Sequence, residues 1–245
     1  MTWTTTNAAQ TRRLRILLHG QSGAGKTYAI RTLPDVSRVA LIAAEDGTLS
    51  LSDLPIQCRR LAHPRDLASA LEQVGGERGA AAFDWVILDS LTAWAENHLA
   101  NLLLLPNEKG QLDGRAAYGN LARDAVDVIQ RLHALPQHVL VLCKTERAII
   151  DGAVLRVPSM PGQQLTHKSP IAHHFDAVWA IHVMGDKGDT YRQIQTDLSA
   201  DPRCEAKTRD PRGVIQPWEP ADLGDLARRL LGTSEPESGS AAEVD

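Results

Sequence analysis

Cysteine is scarce in this sequence. Three residues, Cys58, Cys143 and Cys204, are scattered and odd in number. That argues against a disulfide framework and for free thiols in a reducing compartment. No apolar run approaches the ~20 residues of a membrane span. The opening stretch MTWTTTNAAQTRR lacks the apolar core of a secretory signal, so a cytoplasmic protein with no membrane partner is expected. A basic surplus is missing too. With a formal net charge of −4, no global field favours nucleic acid, and any DNA contact must come from local basic loops. Repeats of solenoid or propeller period are absent as well.

What remains is a chain of 245 residues, long enough to bury one full core without staples. Residues 1–12 read as a flexible lead, 13–231 as one domain, and 232–245 as a disordered acidic tail. Strands alternate with helices. Apolar runs at 14–19, 38–43, 83–88 and 139–143 read as buried strands, with a further short strand at 56–61. Helical spacing covers 64–74, 92–105, 118–135 and 223–231. Asp151-Gly152, between two apolar triplets, predicts a type I′ hairpin, and further strands are expected at 175–183, 191–196 and 204–209. This order predicts an α/β fold: a mostly parallel central sheet flanked by helices, with β-hairpins or antiparallel strands added late. Ligands in such sheets sit at the carboxyl ends of the strands, which singles out Glu45, Asp89, Ser90, Lys144 and Thr145.

The most specific motif is Gly20–Thr27, GQSGAGKT, which fits G-x-x-x-x-G-K-[ST] between a strand and a helix stopped by Pro34. Glycines let backbone N–H groups converge on phosphate oxygens, and the helix N-terminus favours negative charge. The nucleotide-binding set is therefore Gly20, Gln21, Ser22, Gly23, Ala24, Gly25, Lys26, Thr27 and Tyr28, with ATP and Mg²⁺ as the expected cofactors. Lys26 can reach the β- and γ-phosphates, and the Thr27 hydroxyl can ligate Mg²⁺. WVILDS, residues 85–90, is an apolar strand that delivers Asp89 to the Mg²⁺ side, directly or through water. Ser90 fits the water shell of the metal and a helix N-cap equally well. Glu45 follows the second strand. By position alone it suits a general base for the attacking water and a turn or capping acid alike.

The runs LLHGQSGAGKT, VALIAAEDG and WVILDSLTAW together resemble the RecA-like P-loop NTPase core over residues 13 to about 231. More narrowly, AEDG, PSMPGQQL and AKTR (206–209) are similar to stretches of phage-encoded RecA-like ATP-binding proteins, among them the Sak-type single-strand annealing ATPases. The resemblance implies Glu45 as catalytic base. It implies Lys207 and Arg209 as a basic pair reaching the nucleotide of the next subunit, where a solvated pair beside Asp210 is the plainer alternative. It also implies self-association into a ring or filament, single-stranded DNA and a single-strand binding protein as partners, and the host cytoplasm if the chain is phage-encoded. Lys109, Arg115, Tyr118, Arg147, Arg156 and Lys168 would then face DNA, although ordinary solvated loops account for them as well. RecA-type recombinases carry a polar sensor, often glutamine, after the fourth strand. Here Lys144 and Thr145 occupy that region as candidate sensors.

His167, His173 and His174 lack a cysteine or carboxylate at ligand spacing, so a metal centre is not expected there. Trp94, Trp179 and Trp218 fit core positions. The expected function is an ATP-hydrolysing protein acting on single-stranded DNA in recombination or annealing. A P-loop small-molecule kinase shares the phosphate loop, but no short arginine-rich lid is present. A non-hydrolysing or signalling ATP-binding module, or an ATP-dependent motor of helicase-loader type, is the third possibility.

Overall fold

The computed structural model describes residues 13–106, 110–162, 171–186 and 188–233. Its centre is a sheet in the order β10-β8-β7-β1-β5-β4-β2-β3. These strands are β1 (Arg15–Gly20), β2 (Val39–Ala43), β3 (Gln57–Arg60), β4 (Trp85–Asp89), β5 (His138–Ile150), β7 (Ala177–Met184), β8 (Tyr191–Gln195) and β10 (Trp218–Pro220). From β7 to β3 all neighbours are parallel, and β8 and β10 add antiparallel strands at one edge. Two strands branch off the main order. β6 (Ala153–Pro158) pairs with β5, and β9 (Lys207–Thr208) pairs with β7.

Alternation along each strand divides the core in two. Leu17, Val86, Leu88, Val139 and Val141 face one layer, which also holds Trp94, Leu121, Ile129 and Phe175. That layer is made by α2 (Asp66–Gly75), α4 (Leu91–Leu103) and α5 (Gly114–Ala134). Ile16, Leu18, Ile87, Leu140, Leu142 and Trp179 face the opposite layer. There Ile30 follows α1 (Lys26–Ala29), and Leu223, Leu226 and Leu230 come from α6 (Leu223–Leu231). Burial on both faces explains why these strands read as unbroken apolar runs. Arg15 ties β1 to the α5 layer. Its guanidinium is buried and donates to the carbonyls of His133, Leu135 and Gln137 at 2.6–2.8 Å, closing the C-terminal end of α5.

The expected α/β fold with a mostly parallel sheet is what the chain adopts, with several boundary corrections. β5 does not stop at Cys143. It continues through Lys144–Arg147 into the hairpin as one 13-residue strand, because β6 takes over the backbone pairing from Thr145 onward. The hairpin turn is as expected, with positive φ at Asp151 (51°) and Gly152 (80°). α5 starts at Gly114 rather than Tyr118, capped by Asp113, whose carboxylate accepts from the Ala116 N–H at 3.0 Å. Gly75-Gly76 ends α2, but a second short helix, α3 (Glu77–Ala82), follows at once. The strand expected at 204–209 shrinks to Lys207–Thr208, and β10 was not expected at all. Among the described residues no helix is long and apolar enough to cross a membrane. The proposed lead at 1–12 and nearly all of the proposed tail lie outside the described residues.

Candidate nucleotide site

The loop between β1 and α1 has Gly23 and Gly25 at φ 77° and 97°, and Gly25 stands at the N-cap of α1. Only glycine takes that left-handed conformation without steric cost, so the motif glycine is required by backbone shape. Lys26 folds back over the loop, its Nζ donating to the carbonyls of Gly20 (2.8 Å) and Gln21 (3.0 Å). Burial pushes its proton affinity down, while the charges of Asp89 and Glu45 pull the other way.

Thr27 Oγ1 donates to Asp89 Oδ2 at 2.7 Å. Asp89 is almost fully buried at the end of β4, and desolvation raises its pKa. The Thr27 hydrogen bond and Lys26 counter that shift, and Glu45 adds to it. A buried carboxylate beside a phosphate loop, balanced only by a hydroxyl and one partly desolvated ammonium, suits a divalent cation. The glycine cradle, Lys26 and the Thr27–Asp89 pair thus fit a magnesium–nucleotide. The Asp89–Ser90 peptide bond is cis. Ser90 caps α4, its Oγ accepting from the Ala93 N–H at 3.2 Å, so the capping role of Ser90 is the one observed.

Glu45 lies two residues past Ala43, the partner of Asp89 across β2 and β4, and Ala44 N–H donates to the Asp89 carbonyl at 2.7 Å. This places Glu45 at the same carboxyl edge as Asp89, one strand over. It is half-buried and caps nothing: the short 3₁₀ turn at Thr48–Leu51 has Gly47 at its N-cap and no side-chain cap.

β5 separates β1 from β4, so its Lys144 and Thr145 flank the loop. Lys144 Nζ donates to Glu96 Oε2 at 2.8 Å, a pairing that raises the lysine pKa. Thr145 Oγ1 sits 2.8 Å from His19 Nδ1, and His19 Nε2 lies 2.7 Å from the Glu205 carbonyl. Full burial holds the His19 pKa down to about 4, so the ring is neutral. Its Nε2–H donates to Glu205, and Nδ1 accepts the Thr145 hydroxyl proton. Both sensor candidates are therefore committed to partners within the fold.

Lys207 and Arg209 lie elsewhere. β9 pairs with Ala177–Val178, the amino end of β7, opposite to the phosphate loop. Arg209 Nη1 meets Asp176 Oδ1 at 3.0 Å, and neither basic residue approaches the phosphate loop of its own chain. Of the DNA candidates, Arg115 and Arg147 are exposed, and Tyr118 is half-exposed with its ring against Gly162. Arg156 is half-buried and ion-paired with Asp201. Lys109 and Lys168 lie outside the described residues, as does His167. Among the described residues no cluster of three His, Cys, Asp or Glu side chains is placed to hold a metal.

Four contributors were missed in the sequence. Thr92 is buried, donates from Oγ1 to the Ser159 carbonyl at 2.8 Å and accepts from Lys144 N–H at 3.0 Å. His19 had one signal, a polar residue ending an apolar strand just before the glycine loop. Glu96 and Arg192 had none, because their partners are distant in sequence.

Comparison with known families agrees with this geometry. A family model described as an AAA domain matches residues 12–209. No curated protein matches the chain. With the glycine loop, Asp89 and Glu45 gathered at one carboxyl edge of a parallel sheet, and with most of its length matched, the chain belongs to the AAA-domain family of P-loop ATPases.

Proposed function

We propose that the protein binds ATP with Mg²⁺, hydrolyses it, and works as a self-associating machine on single-stranded DNA in annealing or recombination. The observation that carries the ATPase reading is the 2.7 Å Thr27–Asp89 contact with Glu45 one strand away. When bound, the magnesium–ATP supplies an electrophilic γ-phosphoryl group. Lys26 would then trade its loop carbonyls for phosphate oxygens. Thr27 and Asp89 would hold the metal or its water shell, and Glu45 would accept the proton of the attacking water.

Support for a DNA role comes from β5. One continuous strand runs from beside the phosphate loop into the β5–β6 hairpin, where Arg147 is exposed. A change at Lys144 or Thr145 would therefore be transmitted along a single strand to an outward-facing arm that carries Arg147. The test is phosphate release with and without single-stranded DNA. A several-fold stimulation is expected; turnover that ignores DNA and requires a small acceptor would instead indicate a kinase.

Self-association has its own support. Arg209 sits at the amino end of the sheet and the phosphate loop at the carboxyl end. A head-to-tail contact, which generates rings or filaments, brings such opposite ends together. If Arg209 completes the neighbouring site, Arg209→Ala keeps ATP binding but lowers turnover by about 10²- to 10³-fold. Mixing it with Glu45→Gln subunits should restore partial activity, because some interfaces then pair an intact Glu45 with an intact Arg209. Mixed oligomers as inactive as either parent would rule the trans role out.

A further inference from the structure

Tyr28, directly after the phosphate-loop threonine, is 51% exposed and has two guanidinium groups close to its ring. Arg31 sits 5.3 Å from its ring centroid and Arg192 sits 5.7 Å away. The two arginines differ in their commitments. Arg31 is held bidentately by Asp53, one contact being 2.6 Å. Arg192 uses only Nε, donating to the Ala24 carbonyl at 3.1 Å, and has no carboxylate partner among the described residues. It arrives from β8, opposite Val183 at the carboxyl end of β7. There it presses on the loop so closely that a Cβ on Gly25 would lie 2.4 Å from Arg192 Nε. An unpaired, planar cation and an exposed aromatic ring thus flank the loop together.

The sheet order suggests a direction for a bound nucleotide. If Lys26, Thr27 and Asp89 hold the γ-phosphate and metal end on the flank of β1 that faces β5 and β4, the nucleoside end would lie on the side where Arg192 of β8 reaches Tyr28 and the loop.

Resting on the nucleotide-binding role of the loop, we propose that Arg192 and Tyr28 form the nucleobase platform of this site, with Arg192 stacking its guanidinium plane on the base. A guanidinium or phenol face gains from stacking on a flat π-system, which a bare phosphate chain lacks, whereas the attraction of the Arg192 charge is common to both ligands. Arg192 on this view is a specificity-determining residue. It selects nucleoside triphosphates over inorganic polyphosphates.

Calorimetric titration of the full chain with Mg·ATP and with Mg·tripolyphosphate tests this. Arg192→Ala should weaken ATP binding on the order of tenfold more than it weakens tripolyphosphate binding, which loses only the attraction of the charge. Arg192→Lys, which keeps the charge but not the plane, should fail to restore ATP affinity. Tyr28→Leu should show the same selective loss. Equal weakening of both ligands by Arg192→Ala, or full rescue by lysine, would make Arg192 a phosphate contact and overturn the platform. Unchanged ATP affinity in Arg192→Ala would overturn it too, with the phosphate loop left standing. If the wild-type chain binds neither ligand, the loop assignment and the platform fall together.

Discussion

Replacing Lys26 with alanine is expected to weaken Mg·ATP binding by at least about 10²-fold and to abolish turnover. The ammonium already lies at the mouth of the loop, where two backbone carbonyls hold it in place. Its partial burial makes the ionised form costly in isolation, and Asp89 and Glu45 offset that cost. A phosphate chain would replace the carbonyls with stronger charge-assisted acceptors. Each hydrogen bond to a charged group is worth about 1.5–3 kcal/mol, so losing two of them predicts a fall in affinity of at least about 10²-fold. The variant also leaves Asp89 and Glu45 without the cation between them, which discourages an anionic ligand further. Titration with Mg·ATP reads the effect directly. An affinity equal to wild type would remove Lys26, and with it the phosphate loop, from the site.

Glu45→Gln should separate binding from chemistry. Glu45 makes no capping bond, and its amide counterpart is nearly the same size, so the fold has little to lose. In the proposed site the phosphate contacts would come from the loop and the metal contacts from Thr27 and Asp89, whose mutual hydrogen bond does not involve Glu45. Removing a negative charge beside buried Asp89 also relieves part of what raises the Asp89 pKa. ATP affinity should therefore hold or improve slightly. Hydrolysis should slow by about 10²-fold or more, the usual consequence of losing a general base. Single-turnover phosphate release at saturating ATP separates the two effects, and wild-type release in the variant would move the proton acceptor to another residue.

The parts of this site that were legible in the sequence are those encoded locally. A glycine loop between an apolar strand and a helix, with Gly25 required by a φ of 97°, announces itself in eight residues. Asp89 was legible because β4 is buried on both faces and ends in a single acid. The Asp151-Gly152 turn was legible because two positive φ angles select those residue types. The rest depends on contacts that no window contains. His19 reaches Glu205 across the whole domain, and Arg192 reaches Ala24 from β8. The polarity of Lys144–Arg147 looked like a loop, and only pairing with β6 shows that β5 runs on. Lys207 and Arg209 read as a short strand pair, but the end of the sheet they occupy depends on which part of β7 they join.

The most direct test of the ATPase account is steady-state phosphate release by the wild-type chain as ATP and Mg²⁺ are varied. Release that saturates with ATP, disappears when the metal is chelated, and is absent from Lys26→Ala is the predicted result. No release with or without single-stranded DNA, or release that survives both chelation and Lys26→Ala, would contradict it.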